Sequence, residues 1–170
     1  MKNRDDALLR KISEYCNESS SAVEMFGNDY SIFSNNVIYR NACCMPIMQI
    51  GELCKLISEF VKEQYPEIDW KGWCGVRDIM AHQYSNLDFQ KTWQIVSIDL
   101  PKLKVKIDEI LKILDGDNIS RIVKILKDNN IINVSAETIY NEIITNTGIS
   151  LNAFSNEKLL EFIKSNQMEQ

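Results

Sequence analysis

The chain contains a single histidine, His82, set in the run Arg77-Asp78-Ile79-Met80-Ala81-His82-Gln83-Tyr84. An imidazole is the side chain best tuned for moving protons near neutral pH. An arginine suits a phosphate, because its planar fork donates to two oxygens at once. Together the two can cleave RNA without a metal. The histidine would take the proton from a ribose 2′-hydroxyl or deliver one to the leaving 5′-oxygen, and the arginine would neutralise charge on the phosphate. Spacing constrains this picture. At about 100° per residue, Arg77 and Tyr84 fall about 20° apart on one helix face, whereas Arg77 and His82 diverge by about 140°. Either the helix ends near His82 or the working site draws on more than one chain. A symmetric dimer would bring two Arg77–His82 pairs to one cleft and so supply both an acid and a base. By spacing alone a plainer reading stays open: His82 as a hydrogen-bonded surface residue at a helix end, Tyr84 as an aromatic at the edge of the core.

Such residues need a scaffold, and the bulk composition allows one. With 170 residues, 45% hydrophobic and 25% charged, the chain can build a packed domain plus a small appendage. No apolar run approaches the roughly 20 residues of a membrane span. The start, MKNRDDALLRK, has no apolar signal-peptide core, so a cytoplasmic location is expected. A net charge of −5 argues against a broadly basic nucleic-acid surface but leaves room for a locally positive cleft. The five cysteines, Cys16, Cys43, Cys44, Cys54 and Cys74, are odd in number and form no C-x-x-C pair. They read as reduced, mostly buried thiols, and the chain calls for no metal and no cofactor.

Helical periodicity dominates. Residues 5–26 carry Leu8, Leu9, Ile12, Tyr15, Cys16, Val23 and Phe26 at steps of three and four, and Gly27-Asn28-Asp29 reads as a stop. A second long segment is expected over about 31–64, kinked or loosened at Pro46 and halted before Pro66. Asp69 is a candidate cap for a third helix over about 70–82, and Asp88 for a fourth over about 89–114 with a kink or break at Pro101. Asp115-Gly116-Asp117-Asn118 reads as punctuation, followed by shorter helical patterns near 118–128, 136–146 and 155–165. The expected fold is all-α: an antiparallel helical bundle over residues 1–115, then a small helical C-terminal extension over 116–170.

At the Arg-His-Tyr run the sequence resembles the HepT-like family of the HEPN superfamily. Its signature R-x-x-x-x-H-x-Y is matched without a gap by Arg77, His82 and Tyr84. The resemblance extends through about residues 4–112. Tyr39-Arg40-Asn41-Ala42 followed by Gln49-Ile50-Gly51-Glu52 is similar to the family's "RN…IGEA" stretch. Pro66-Glu67-Ile68-Asp69-Trp70 looks like its "PEIPW" turn, and Trp93-Gln94-Ile95-Val96 with Asp99-Leu100-Pro101 like its "WEIV…DLP". The pattern departs at Pro46 and in residues 113–170, which lie outside it.

The resemblance implies a four- or five-helix HEPN bundle that forms a homodimer with the motifs facing each other. It implies the toxin of a type VII-like toxin–antitoxin module: a metal-independent endoribonuclease acting on RNA, with Arg77 and His82 catalytic. The implied partner is a minimal nucleotidyltransferase antitoxin that transfers AMP from ATP to the motif tyrosine, here Tyr84. Glu52 either holds Arg77 in place or solvates a helix face. Asp78 either orients Arg77 or His82 or is a surface charge. Trp70, Trp73 and Trp93 either pack in the core or dimer, the favoured reading, or stack on bases. An alternative of a different class is a non-catalytic helical partner that binds a nucleotidyltransferase and presents its substrate.

Overall fold

In the computed structural model, residues 3–82, 87–131, 134–147, 151 and 154–167 are described. Among them every regular element is helical, so the all-α expectation holds. The helices are α1 (Asn3–Phe26), α2 (Tyr30–Asn35), α3 (Val37–Leu56), α4 (Glu59–Gln64), α5 (Trp70–His82), α6 (Phe89–Gln94), α7 (Leu100–Asp128), α8 (Ala136–Thr147) and α9 (Asn156–Gln167), with a π-helical turn at Ile95–Asp99 joining α6 to α7. None is long and apolar enough to cross a membrane.

Caps explain most of the boundaries. Gly27 adopts φ +94°, which closes α1 at no steric cost, and its N–H reaches the Val23 carbonyl at 3.0 Å. Asp29 accepts from the amides of Ser31 and Ile32 to start α2, Asn36 from Ile38 and Tyr39 to start α3, and Ser58 from Val61 to start α4. The single helical segment expected over 31–64 is therefore three helices. Asn36 and Ser58 interrupt it because their side chains satisfy the first amides of the next helix better than a continued helix would. Pro46, the expected kink, is buried inside α3, which runs on to Leu56. The two aspartate caps hold as expected: Asp69 accepts from the Gly72 amide at 2.8 Å, and Asp88 from Gln90 and Lys91.

Pro101 breaks nothing. The π turn just before it shifts the hydrogen-bond ladder, with the Leu100 amide bonded to the Ile95 carbonyl, so the proline enters in the first turn of α7 where no amide is needed. Nor is Asp115-Gly116-Asp117-Asn118 a stop: α7 passes through it to Asp128.

Two compact units are distinguished, one built on Leu8–Glu109, the other on Ile110–Gln170 with Lys2–Ala7. In the first, Leu9, Ile12, Cys16, Tyr39, Ile47, Ile50, Cys54, Val61 and Ile107 are fully buried. Tyr39 stacks on Phe26 at 4.9 Å and meets Phe33 edge-on at 5.3 Å, with Trp93 tilted against Phe33 at 5.1 Å. The Tyr39 hydroxyl donates to the Gly27 carbonyl, and Arg40 Nη1 to the carbonyls of Phe33 and Ser34, so the Tyr39-Arg40 pair ties off the ends of α1 and α2. Trp70 and Trp73 are buried, which rules out base stacking for both. All five cysteines are free thiols. Burial pushes Cys16 and Cys44 up to about 12 and Cys43 to about 11, so they are inert at neutral pH, as expected of core thiols.

The second unit has its own core of Ile122, Ile125, Leu126, Ile139, Tyr140, Ile143, Leu151, Leu159 and Ile163, drawn from the end of α7, from α8 and α9, and from Leu151 between the last two in sequence.

Candidate active site at the seam of α3 and α5

Helix α5 carries Arg77, Asp78 and His82; α3 carries Gly51, Glu52 and Lys55. These two helices pack directly against each other, and Gly51 is the reason they can lie so close. A Cβ at position 51 would fall onto Cβ of Arg77 and within 2.7 Å of the Trp73 carbonyl oxygen. Only a hydrogen at that point lets the α5 backbone lie this close. Arg77 is thereby laid along α3, its aliphatic stem over Gly51 and its guanidinium beside the next residue, Glu52.

Four charges close a ring there. Arg77 Nε is ion-paired with Glu52 Oε1, and Arg77 Nη1 donates to Asp78 Oδ1 at 3.0 Å. Lys55 Nζ donates to the same Asp78 oxygen at 2.7 Å and to Glu52 Oε1 at 3.4 Å. Signs alternate around the ring, and each shared oxygen receives one donor from each cation. The hydrogen bond from Lys55, and then that from Arg77, hold the Asp78 carboxyl below its ordinary value. Asp78 in turn raises the Lys55 ammonium. The arginine side chain is 27% exposed and those of Glu52 and Asp78 43% and 53%, so the ring is wet at its outer edge.

The two ion pairs engage Nε and Nη1. A guanidinium offers five N–H donors in a fixed fork, so an arginine held this way can still meet a phosphate oxygen while its plane is kept from swinging. Of the residues expected from the sequence, the structure brings together Arg77, Asp78 and Glu52. Helix α5 reaches His82, five positions after Arg77 on a continuous helix, so the expected divergence of about 140° between the two positions applies. The His82 side chain and all of Tyr84 lie outside the described residues. Lys55 is the member that sequence reasoning missed. Its i,i+3 spacing from Glu52 marks a helix-surface pair, and nothing in the sequence ties it to Asp78, 23 residues on.

Comparison with known proteins bears on what such a seam does. The family model described as "Ribonuclease HepT-like" matches residues 9–110, a stretch that holds the whole ring together with His82 and Tyr84. "Putative RNase MJ1216" of Methanocaldococcus jannaschii is 31% identical over 117 residues, covering 68% of this chain and 95% of its own length. "Putative RNase MJ1380" of the same organism is 35% identical over 80 residues, 47% of this chain and 73% of its own. "Putative RNase TTE0752" of Caldanaerobacter subterraneus subsp. tengcongensis is 24% identical over 86 residues, covering 51% and 77%. No solved structure gives a significant match. With the greater part of the chain matched by the family model, and one relative aligned over nearly its full length, this protein belongs to the HepT-like ribonuclease family.

Proposed function

We propose that this protein is a metal-independent endoribonuclease, the toxin of a type VII-like toxin–antitoxin module, with Arg77 and His82 as its catalytic residues. The observation that carries the reading is the Arg77 guanidinium, fixed between Glu52 and Asp78 at the α3–α5 seam yet partly open to solvent. A cation pinned in this way is preorganised for the charge that builds on a phosphoryl group in transit. In the proposed reaction His82 removes the proton of a ribose 2′-hydroxyl. The 2′-oxygen attacks the adjacent phosphorus, and the P–O5′ bond breaks as the leaving oxygen takes a proton. The products are a 2′,3′-cyclic phosphate and a 5′-hydroxyl.

One imidazole cannot begin as both base and acid, and Arg77 and His82 occupy divergent positions on α5. Both points favour a homodimer in which the partner subunit's His82 faces the same cleft. Exposed apolar residues support a covered face. Ile38, Met45 and Leu56 share a stripe of α3 with Glu52 and are 66%, 58% and 47% exposed, and Ile79 of α5, two residues from Arg77, is 52% exposed. Within this reading residues 1–115 form the HEPN bundle and 116–170 a helical C-terminal extension.

The proposed control is chemical. A minimal nucleotidyltransferase antitoxin would transfer AMP from ATP to Tyr84: the phenolic oxygen attacks the α-phosphorus, pyrophosphate leaves and the phenolic proton is released. An AMP group on Tyr84, seven positions after Arg77 in the sequence, would put a competing phosphate near the arginine. Purified protein incubated with RNA and chelator tests the first half. Cleavage that disappears in both Arg77→Ala and His82→Ala is expected; cleavage that survives His82→Ala, or none in the wild type, sinks the catalytic reading in favour of a non-catalytic nucleotidyltransferase partner. Intact mass after co-expression with a minimal nucleotidyltransferase of the proposed antitoxin type tests the second half. Whole AMP increments that vanish in Tyr84→Phe are expected, and an unchanged mass counts against the modification.

A further inference from the structure

The ring at the α3–α5 seam is neutral only because Lys55 is in it. Arg77 alone would face two carboxylates, Glu52 and Asp78, and the patch would carry a net charge of −1 where an RNA phosphate has to arrive. Lys55 lies one helical turn beyond Gly51 and Glu52 on α3, so the glycine contact that seats Arg77 also brings the lysine over α5. Its shorter contact is across the helices, 2.7 Å to Asp78 Oδ1, against 3.4 Å to Glu52 on its own helix. Lys62 differs: it pairs at 2.9 Å with Glu59, three residues earlier on the same short helix, a surface pair confined to α4. Asp78 Oδ1 and Glu52 Oε1 each receive Lys55 and Arg77 together. The carboxylates' charge is therefore shared between two cations, and neither can neutralise Arg77 outright.

We infer that Lys55 is a positioning residue for the Arg77 site, sharing Glu52 and Asp78 with the arginine so that the guanidinium stays in place but retains the positive field an RNA phosphate needs. This rests on the ribonuclease reading above. Lys55 does its work through Asp78 and Glu52 and need not touch the RNA. Because the ring is partly exposed, the effect is local and weakens with salt.

The test compares Lys55→Gln, Lys55→Arg and the double variant Lys55→Gln/Asp78→Asn with the wild-type full chain, after melting curves establish that each is folded. Cleavage of a short RNA gives KM and kcat. Binding of the same oligonucleotide with 2′-O-methyl sugars, which cannot be cleaved, is followed by fluorescence anisotropy. Lys55→Gln raises KM and the dissociation constant roughly two- to fivefold, the size of one partly exposed charge pair, with kcat changed less. Lys55→Arg stays close to wild type because it keeps the charge. The double variant, neutral again at the ring, binds RNA more tightly than Lys55→Gln alone. The inference fails if Lys55→Gln binds and cleaves as the wild type does, or if the double variant is no better than the single one. A wild type that binds RNA without cutting it overturns the ribonuclease reading instead, and the anisotropy series still decides the role of Lys55. A wild type that neither binds nor cuts overturns both.

Discussion

Two arginines, one in each compact unit, show how partners decide what a guanidinium is for. Arg121, on α7 in the second unit, donates from Nε to Asn156 Oδ1 at 2.7 Å, from Nη2 to the Phe154 carbonyl at 2.7 Å and from Nη1 to the Leu151 carbonyl at 3.3 Å. All three acceptors are neutral and all belong to the segment leading into α9. Each of its three nitrogens is engaged in holding that segment to α7. Arg77 donates to two carboxylates, each of which also receives Lys55. Its position is set by charge and by the close approach at Gly51, and part of the fork remains for an incoming anion. Neutral carbonyls make an arginine a clasp; a balanced ring of charges makes it a site.

That contrast breaks or sharpens under substitution. The largest effect is expected at Arg77 itself: Arg77→Ala lowers kcat/KM for RNA by at least about a hundredfold, as loss of a transition-state charge donor does, while its melting temperature stays close to wild type. A variant that cuts RNA normally would place Arg77 in the same class as Arg121. Next is Gly51→Val. Its side chain meets the Trp73 carbonyl, which is backbone and cannot turn away. We expect a loss of about 1–3 kcal/mol in urea unfolding, the range for overpacking, together with loss of cleavage as α5 is pushed off α3. Arg121→Ala should do the converse. It removes three hydrogen bonds from a charged donor and costs about 1–3 kcal/mol, read as earlier proteolysis within 110–170, with RNA cleavage within about twofold of wild type. A collapse of cleavage in Arg121→Ala would tie the second unit to the chemistry.

The smallest effect concerns pH. The Asp78 carboxyl is held below its ordinary value of 3.8, first by Lys55 and then by Arg77. A carboxyl lowered on folding adds stability above its unfolded value, and that contribution disappears as pH falls through the lowered folded value. Melting curves of wild type and Asp78→Asn should differ slightly at pH 7 and converge in the acid range, below about pH 4. A gap that widens on acidification would show that the ring does not favour the ionised form.

The chemistry-bearing run was legible because it is local. Arg77, Asp78, His82 and Tyr84 sit within eight residues, and their resemblance to the HepT-like motif needs no structure. The span of α5 was legible too, since Asp69 marks its start and the periodicity its body. Nothing in the sequence marks Asn36 and Ser58 as caps, because apolar periodicity continues across both. The helix through 115–118 was hidden for the opposite reason: Gly116 and its polar neighbours favour a turn, but the apolar contacts on either side of them keep α7 intact.

Composition and pattern by themselves determined an all-α chain, inert core thiols and the placing of arginine, histidine and tyrosine on one short stretch, because these depend on residue type and on periods of three and four. Only the tertiary structure decided what holds Arg77. Glu52 and Lys55 precede it by 25 and 22 positions in the sequence and reach it, directly or through Asp78, only because Gly51 lets α5 lie against α3. Ion pairs of that kind follow from how closely two helix axes pack, a quantity set by one missing side chain and by no local preference for helix.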